Sequence, residues 1–255
     1  MSFRRGLAAA KQGRPTRAAF CISRSNDAMA LSFDPQALPI LGIDDHLPAV
    51  AGSELLSESL RRRFATRPDW SPEIKTEHRF TERTPAHASV LVGMVPRNEI
   101  TVLLTQRTDH LTDHPGQVSF PGGRAEDFDA DAVATALREA HEEIGLETRF
   151  VDVLGELPTY TTGTGFIVTP VVGFVDPGFT INADPFEVAE VFEVPLSFLM
   201  NPANHRRHAV EVNGVRREFL SIPWDGVDAQ GAPRRYFIWG ATAAMLRNLY
   251  RFLVA

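Results

Sequence analysis

Apolar positions change their spacing several times along the chain, and each change marks an element. Leu56, Leu60 and Phe64 recur at every fourth position, which predicts a short amphipathic helix over 54–65. Ala88–Val95 and Glu99–Thr105 are rich in Val, Leu, Ile and Thr, and the short Pro96-Arg97-Asn98 connection predicts a hairpin. A Gly- and Asp-rich loop follows. Helical spacing returns from about Ala132 to Ile144, where Gly145 supplies the left-handed stop. Strand-like runs occupy Phe150–Glu156, Phe166–Val175, Val188–Pro195, Ala209–Val212, Phe219–Ile222 and Tyr236–Trp239. A last helix over 240–253 carries Met245, Leu249 and Phe252 on one side. Strands mixed with two or three helices, without an even βαβ rhythm, predict an α+β protein with a mixed sheet between helices.

No internal repeat or linker divides 51–255, so one domain is expected there, preceded by an N-terminal extension over 1–50 that is in part flexible. The first 26 residues carry Arg4, Arg5, Lys11, Arg14, Arg17 and Arg24, and no acid precedes Asp27. Such a stretch reads as an organelle transit peptide, as a disordered extension, or as an upstream start with Met29 the first residue. A cytoplasmic location is expected, with the mitochondrion as the alternative. No apolar run approaches 18 residues, so no membrane helix is predicted. Cys21 is the single cysteine, which excludes an internal disulfide framework and a multi-thiolate zinc site. The net charge of −6 argues against a general nucleic-acid surface. An anionic substrate must therefore be held locally, by a metal ion or a few arginines.

The chemistry concentrates in 138–146, Arg-Glu-Ala-His-Glu-Glu-Ile-Gly-Leu. At about 100° per residue, Val133, Leu137, Ala140 and Ile144 form an apolar stripe within about 60°. Glu139, Glu142 and Glu143 fall within about 100° on another face. Three carboxylates so close repel one another and destabilise the helix; a divalent cation reverses that sign, because hard ions such as Mg²⁺ take oxygen ligands and bridge carboxylate to phosphate. A solvated acidic face is the plain alternative for the motif taken alone. Upstream, Gly122-Gly123 follows Phe120-Pro121, and paired glycines let backbone or ligand approach without a Cβ between. Walker, Rossmann, nucleophile-elbow, His-Glu-x-x-His and EF-hand patterns are absent.

These residues resemble the Nudix hydrolase superfamily, whose signature runs from a glycine through a spacer to Arg-Glu-hydrophobic-x-Glu-Glu-x-Gly-hydrophobic. Arg138, Glu139, Ala140, Glu142, Glu143, Gly145 and Leu146 complete its second half. The first half departs: Gly123 to Arg138 is one position longer than usual, the early glutamate has no match at Ala130, and Asp127, Asp129 and Asp131 crowd the region instead. Residues 103–123, with Leu103-Leu104-Thr105-Gln106-Arg107, His110-Leu111, His114, Gly116-Gln117-Val118-Ser119 and Phe120-Pro121-Gly122-Gly123, are similar to the motif that precedes the box in the coenzyme A pyrophosphatase branch. Thr112 stands where many members have Arg. The resemblance covers about 54–250.

That resemblance implies an α/β/α sandwich and hydrolysis of a diphosphate joined to another group, with Mg²⁺ or Mn²⁺ as activator. It assigns Glu139 and Glu143 as principal metal ligands and Glu142 as third ligand or base. Arg138 is either a phosphate contact or an ion pair orienting a carboxylate. Glu187 is the candidate distal ligand or base, ahead of Glu190 and Glu193. Arg107, Gly122, Gly123 and Arg124 are the candidate substrate contacts. His141 reads as a flanking structural residue, and His110 and His114 as substrate contacts or loop packing. Phe237 and Trp239 read as core, or as an aromatic surface for adenine. The expected partner is a small molecule, coenzyme A or a related nucleotide such as ADP-ribose, with no nucleic acid and no membrane; a homodimer is left open. A non-catalytic nucleotide-binding regulator on the same fold is the rival from another class, and it would be expected to have lost a box carboxylate.

Overall fold

The computed structural model describes residues 33–79, 84–110, 116–212 and 214–255. In chain order the elements are β1 (Gly42–Ile43), α1 (Ser57–Thr66), β2 (Ala86–Pro96), β3 (Ile100–Arg107), β4 (Val118–Ser119), β5 (Gly122–Arg124), α2 (Ala132–Ile144) and β6 (Val151–Glu156). There follow β7 (Tyr160–Thr161), β8 (Phe166–Val175), β9 (Val188–Pro195), α3 (Leu196–Leu199), β10 (Arg206–Val212), β11 (Val215–Val227), β12 (Pro233–Trp239) and α4 (Gly240–Val254). Strands β2 through β9 make one mixed sheet, in which β2 and β8 are the parallel central pair. A separate antiparallel sheet has the order β1-β10-β11-β12. Residues 42–44, within the stretch set apart as 1–50 in the sequence, contribute β1 and the buried Asp44.

Period-two alternation sorts the central strands onto two faces. Leu91, Val95, Leu103, Val171 and Val175 pack with Ala136, Ala140 and Ile144 of α2. Val92, Met94, Val102, Leu104, Val168 and Val172 face the other way, toward α1, α4 and the second sheet. Helices therefore cover both faces of a mixed sheet, the expected α/β/α arrangement. Among the described residues no helix is long and apolar enough to cross a membrane.

The segment read from sequence as a glycine-rich loop is partly strand. The β2–β3 hairpin pairs only from Met94↔Val102 to Pro96↔Ile100 and then splays. Residues 118–124 fill the wedge, β4 against β3 and β5 against β2 (Val90↔Gly122, Ser89↔Gly123, Ala88↔Arg124). Periodicity could not reveal strands of two and three residues, whose pairing comes wholly from their neighbours.

On α1, Leu60 and Phe64 are buried as predicted, but Leu56 is exposed just before the helix begins. Arg61 pairs with Asp152 at 2.6 Å, and Arg63 donates to the Leu253 carbonyl at 3.1 Å. The far end of the molecule is tied by a buried charge network. Arg247 of α4, fully buried, reaches Glu73 at 2.7 Å and Asp44 at 3.2 Å, and donates to Nδ1 of the buried His205 at 3.2 Å. Arg251 joins Glu73 at 2.6 Å. Burial pushes the Glu73 carboxyl up, but hydrogen bonds from Arg247 and Arg251 outweigh it and hold the group at about 2.

A carboxylate depressed in this way stabilises the folded state fully above the usual value of 4.5, and loses that contribution as the pH falls toward about 2. Glu73→Ala leaves the buried Arg247 with Asp44 as its one carboxylate partner in the network, beside His205; urea unfolding at pH 7 is expected to show a loss of about 3 kcal/mol. The acid limb of the stability curve should flatten in the variant. An unchanged midpoint and an unchanged acid limb would remove the network from the stability of the fold.

Candidate active site

Helix α2 begins and ends on the residues expected of it. The Asp131 side chain accepts the Ala134 N–H at 2.8 Å as N-cap, and Gly145, at φ 72°, closes the C-terminus in the left-handed region. Its buried face differs from the predicted stripe. Ala136, Ala140 and Ile144 are buried, Val133 and Leu137 only half so, and Glu143 is buried beside them. Glu143 follows Ala136 by seven and Ala140 by three, so it shares their side of the helix. There it meets a strand with no side chain in the way.

That strand is β5. Gly122 donates its N–H to Glu143 Oε2 at 3.1 Å, and it sits at φ 156° with so little room that a Cβ would fall 2.6 Å from Val90 Cα. Gly123 lies against the Glu139 carboxylate, whose carbon is 2.6 Å from where a Cβ would be. The Glu143 side chain is 7% exposed, with Arg107 Nη1 4.0 Å from Oε1. Burial pushes its carboxyl up to about 8, and the nearby charges of Glu139 and Glu187 add to the shift, against the opposing pull of Gly122 and Arg107. Burial likewise raises Glu139, opposed by Arg138 and reinforced by Glu142 and Glu187. Glu139, Glu143 and Glu187 thus interact as one cluster of mutually repelling carboxylates.

Glu142 stands apart. Its side chain is 47% exposed, and its carboxylate faces Arg138 at 3.3 Å. Among the described residues no three His, Cys, Asp or Glu side chains converge tightly enough to cage an ion. The predicted gathering of Glu139, Glu142 and Glu143 is therefore not reproduced: Glu143 turns inward to Gly122, Glu142 outward, and Arg138 draws on both Glu139 and Glu142. The donor set still suits a hard divalent cation, for a deeply desolvated carboxylate with one N–H and a distant guanidinium is undercompensated.

Arg138 shows the geometry of the orienting ion pair. Nε and Nη2 grip Asp129 at 2.9 and 2.8 Å, Nη1 reaches Glu139 at 2.8 Å, and Nη2 also donates to the Arg124 carbonyl. Its hydrogen bond to Asp129 is the main cause holding that carboxyl far below the usual range. Asp129 is the residue that the sequence reading named without a role and that the structure ties to Arg138. The early glutamate expected near position 130 was missing, yet the displaced Asp129 pairs with Arg138 while Asp131 caps the helix. Aspartates at alternate positions before a helix that contains an arginine were the available signal.

Three glutamates competed for the distal role, and their surroundings separate them. Glu190 accepts from Ala229 N–H and Arg234 at 2.9 Å each, and Glu193 is bound by Arg97 and Thr101. Glu187 is half-buried on the turn beside Thr108, and its charge contributes to the raised Glu139 and Glu143 carboxyls. It is carried there by a fastened turn: Thr108 donates its N–H to the Glu187 carbonyl at 3.0 Å and its hydroxyl to the Phe186 carbonyl at 2.8 Å. Asp184 N–H in turn reaches the Glu143 carbonyl at 2.8 Å. Arg124 is exposed, His141 is exposed, and Phe237 and Trp239 pack in an aromatic cluster with His208 and Phe219 on the second sheet. Leu111, Thr112, His114 and residues 1–32, Cys21 among them, lie outside the described residues.

A sheet wedged open by a glycine strand, with a helix laying acidic groups against it, is the feature around which the candidate site is built. Residues 86–212 match the NUDIX domain. An uncharacterized Nudix hydrolase, NudL, of Enterobacter sp. (strain 638) is 41% identical over 163 residues, covering 64% of this chain and 80% of that protein. NudL of Yersinia pestis (strain Pestoides F) is 36% identical over 197 residues, 77% and 94% of the two chains. A solved Caenorhabditis elegans Ap4A hydrolase binary complex is 18% identical, with TM-score 0.39 over 46% of this chain and 85% of that one. The chain belongs to the Nudix hydrolase family and is an enzyme of the pyrophosphohydrolase kind that the family defines.

The two glycines predict opposite phenotypes. Gly123→Ala presses on the end of a flexible side chain, so melting should hold within a few degrees while kcat/KM falls about a hundredfold, as displaced catalytic groups cost. Gly122→Ala meets backbone at a positive φ and should lose about 2 kcal/mol or more of stability. Thermal melts beside activity assays distinguish them; equal stability losses would refute the assignment.

Proposed function

We infer that the protein hydrolyses the diphosphate of coenzyme A or acyl-coenzyme A, giving 3′,5′-ADP and 4′-phosphopantetheine or its acyl form. The observation that carries this reading is the desolvated Glu143 beside Arg107, with Glu139 and Glu187 as its charged neighbours, joined to the 103–123 motif similar to the coenzyme A branch. Relatives named NudL, over most of their length, are consistent with it.

Glu139 and Glu143 would hold Mg²⁺ or Mn²⁺, with Glu142 swinging from Arg138 to complete the set. The bound ion supplies neutralisation of phosphate oxygens and a lowered pKa for attacking water. Arg138, anchored on Asp129, keeps Glu139 aimed at Gly123. Glu187, clear of the partners that occupy Glu190 and Glu193, would accept the proton of the attacking water. Arg107 and Arg124 offer positive charge to the diphosphate, and the bare backbone of Gly122 and Gly123 lets it approach. Positioning and charge stabilisation supply most of the rate in reactions of this kind.

Purified protein incubated with coenzyme A, ADP-ribose and diadenosine polyphosphates, with Mg²⁺ or Mn²⁺, should turn over coenzyme A to the two products seen by chromatography, and EDTA should abolish turnover. Rapid ADP-ribose hydrolysis with none of coenzyme A would reject the substrate assignment. Glu143→Gln should keep the fold and lower kcat at least about a thousandfold, since it removes a ligand charge. A variant with more than a tenth of the activity would overturn that role.

A further inference from the structure

Two large aromatic side chains stand in water beside the carboxylate cluster. Phe128 lies in the turn before α2, and the guanidinium of Arg138 covers its ring at 5.6 Å. Phe186, 64% exposed, immediately precedes Glu187. A single exposed phenylalanine on a surface needs no explanation. The way this one is held does.

The backbone around Phe186 is fastened on every side. Its N–H donates to Asp184 Oδ1 at 2.8 Å, and its carbonyl accepts the hydroxyl of the buried Thr108. Asp184 is tied back to the Glu143 carbonyl, and Asn182 N–H to the Ile144 carbonyl at 2.9 Å. The turn is thus pinned between the C-terminal end of α2 and the end of β3, the two elements that supply Glu143 and Arg107. The ring itself meets the exposed His110 edge-on, with centroids 4.8 Å apart and planes inclined at 61°. A rigid turn that displays an apolar ring to solvent, braced from one side and covalently next to a cluster glutamate, is the construction expected of a stacking surface. Rigid aromatic contacts cost little conformational entropy on binding and accept any flat ring.

We propose that Phe186, braced by His110, is the platform on which the planar heteroaromatic base of the substrate stacks while its diphosphate reaches the Glu139–Glu143–Glu187 cluster. This rests on the reading of the cluster as a diphosphate site, but not on which nucleoside diphosphate is the substrate. The base, and no other part of the ligand, lies on the ring. Phe237 and Trp239, the aromatic residues that the sequence suggested for this task, are held in the second sheet.

The test measures binding. Phe186→Trp and Phe186→Ala are titrated with ADP and with inorganic diphosphate in Mg²⁺, by tryptophan fluorescence for the first and calorimetry for both and the wild type. Base stacking on an aromatic ring is strong enough that Phe186→Ala should weaken ADP about tenfold or more. It should leave inorganic diphosphate within about twofold of wild type, while Phe186→Trp retains ADP affinity and its fluorescence responds to ADP and not to diphosphate. Equal losses for both ligands would mark Phe186 as a brace for the turn and overturn the proposal. So would wild-type ADP affinity in Phe186→Ala, or a wild-type protein that binds ADP no better than diphosphate. Failure of coenzyme A hydrolysis with this binding pattern intact would instead reject only the substrate assignment.

Discussion

The structure turns on a close approach between a strand of two glycines and a helix that carries glutamates. Gly122 and Gly123 offer no side chain, so Glu139 and Glu143 lie directly on backbone, and the Glu143 carboxyl loses its water. One N–H and a guanidinium at 4.0 Å are weak compensation for a buried carboxylate. The cost is met by the rest of the fold, which presses α2 onto the sheet through Ala136, Ala140 and Ile144. Small residues at two of these positions allow the helix to come close; larger ones would lift the carboxylates away from β5.

Around that contact, the remaining charged groups act as positioners. Arg138 spends its donors on Asp129, Glu139, Glu142 and a carbonyl, so its value lies in where it places a carboxylate rather than in reaching for a phosphate. Thr108 does the same by neutral means: two hydrogen bonds bring the 184–187 turn alongside the helix end. The second sheet and α4 stand behind the opposite face, locked by the Arg247–Glu73–Asp44 network.

Much of this was legible in advance. Helix α2 with its Gly145 stop and the long strands follow from local spacing and a stop residue, and the resemblance of 138–146 to a known box singled out Glu139 and Glu143 as candidates. The departures from that box had a physical answer that spacing could not supply. An aspartate one position from the expected glutamate is the residue that Arg138 grips. Likewise Glu187, Glu190 and Glu193 are indistinguishable as letters. Only the partners around them separate one from the others.

Local sequence decided which segments are helices and strands, because periodicity and capping act within a few residues. Tertiary structure alone decided that 118–124 becomes two short strands, since their hydrogen bonds belong to a hairpin splayed by its neighbours. It decided, too, which glutamate is dry and which is wet, for burial is a property of what packs across the gap and no count along the chain contains it.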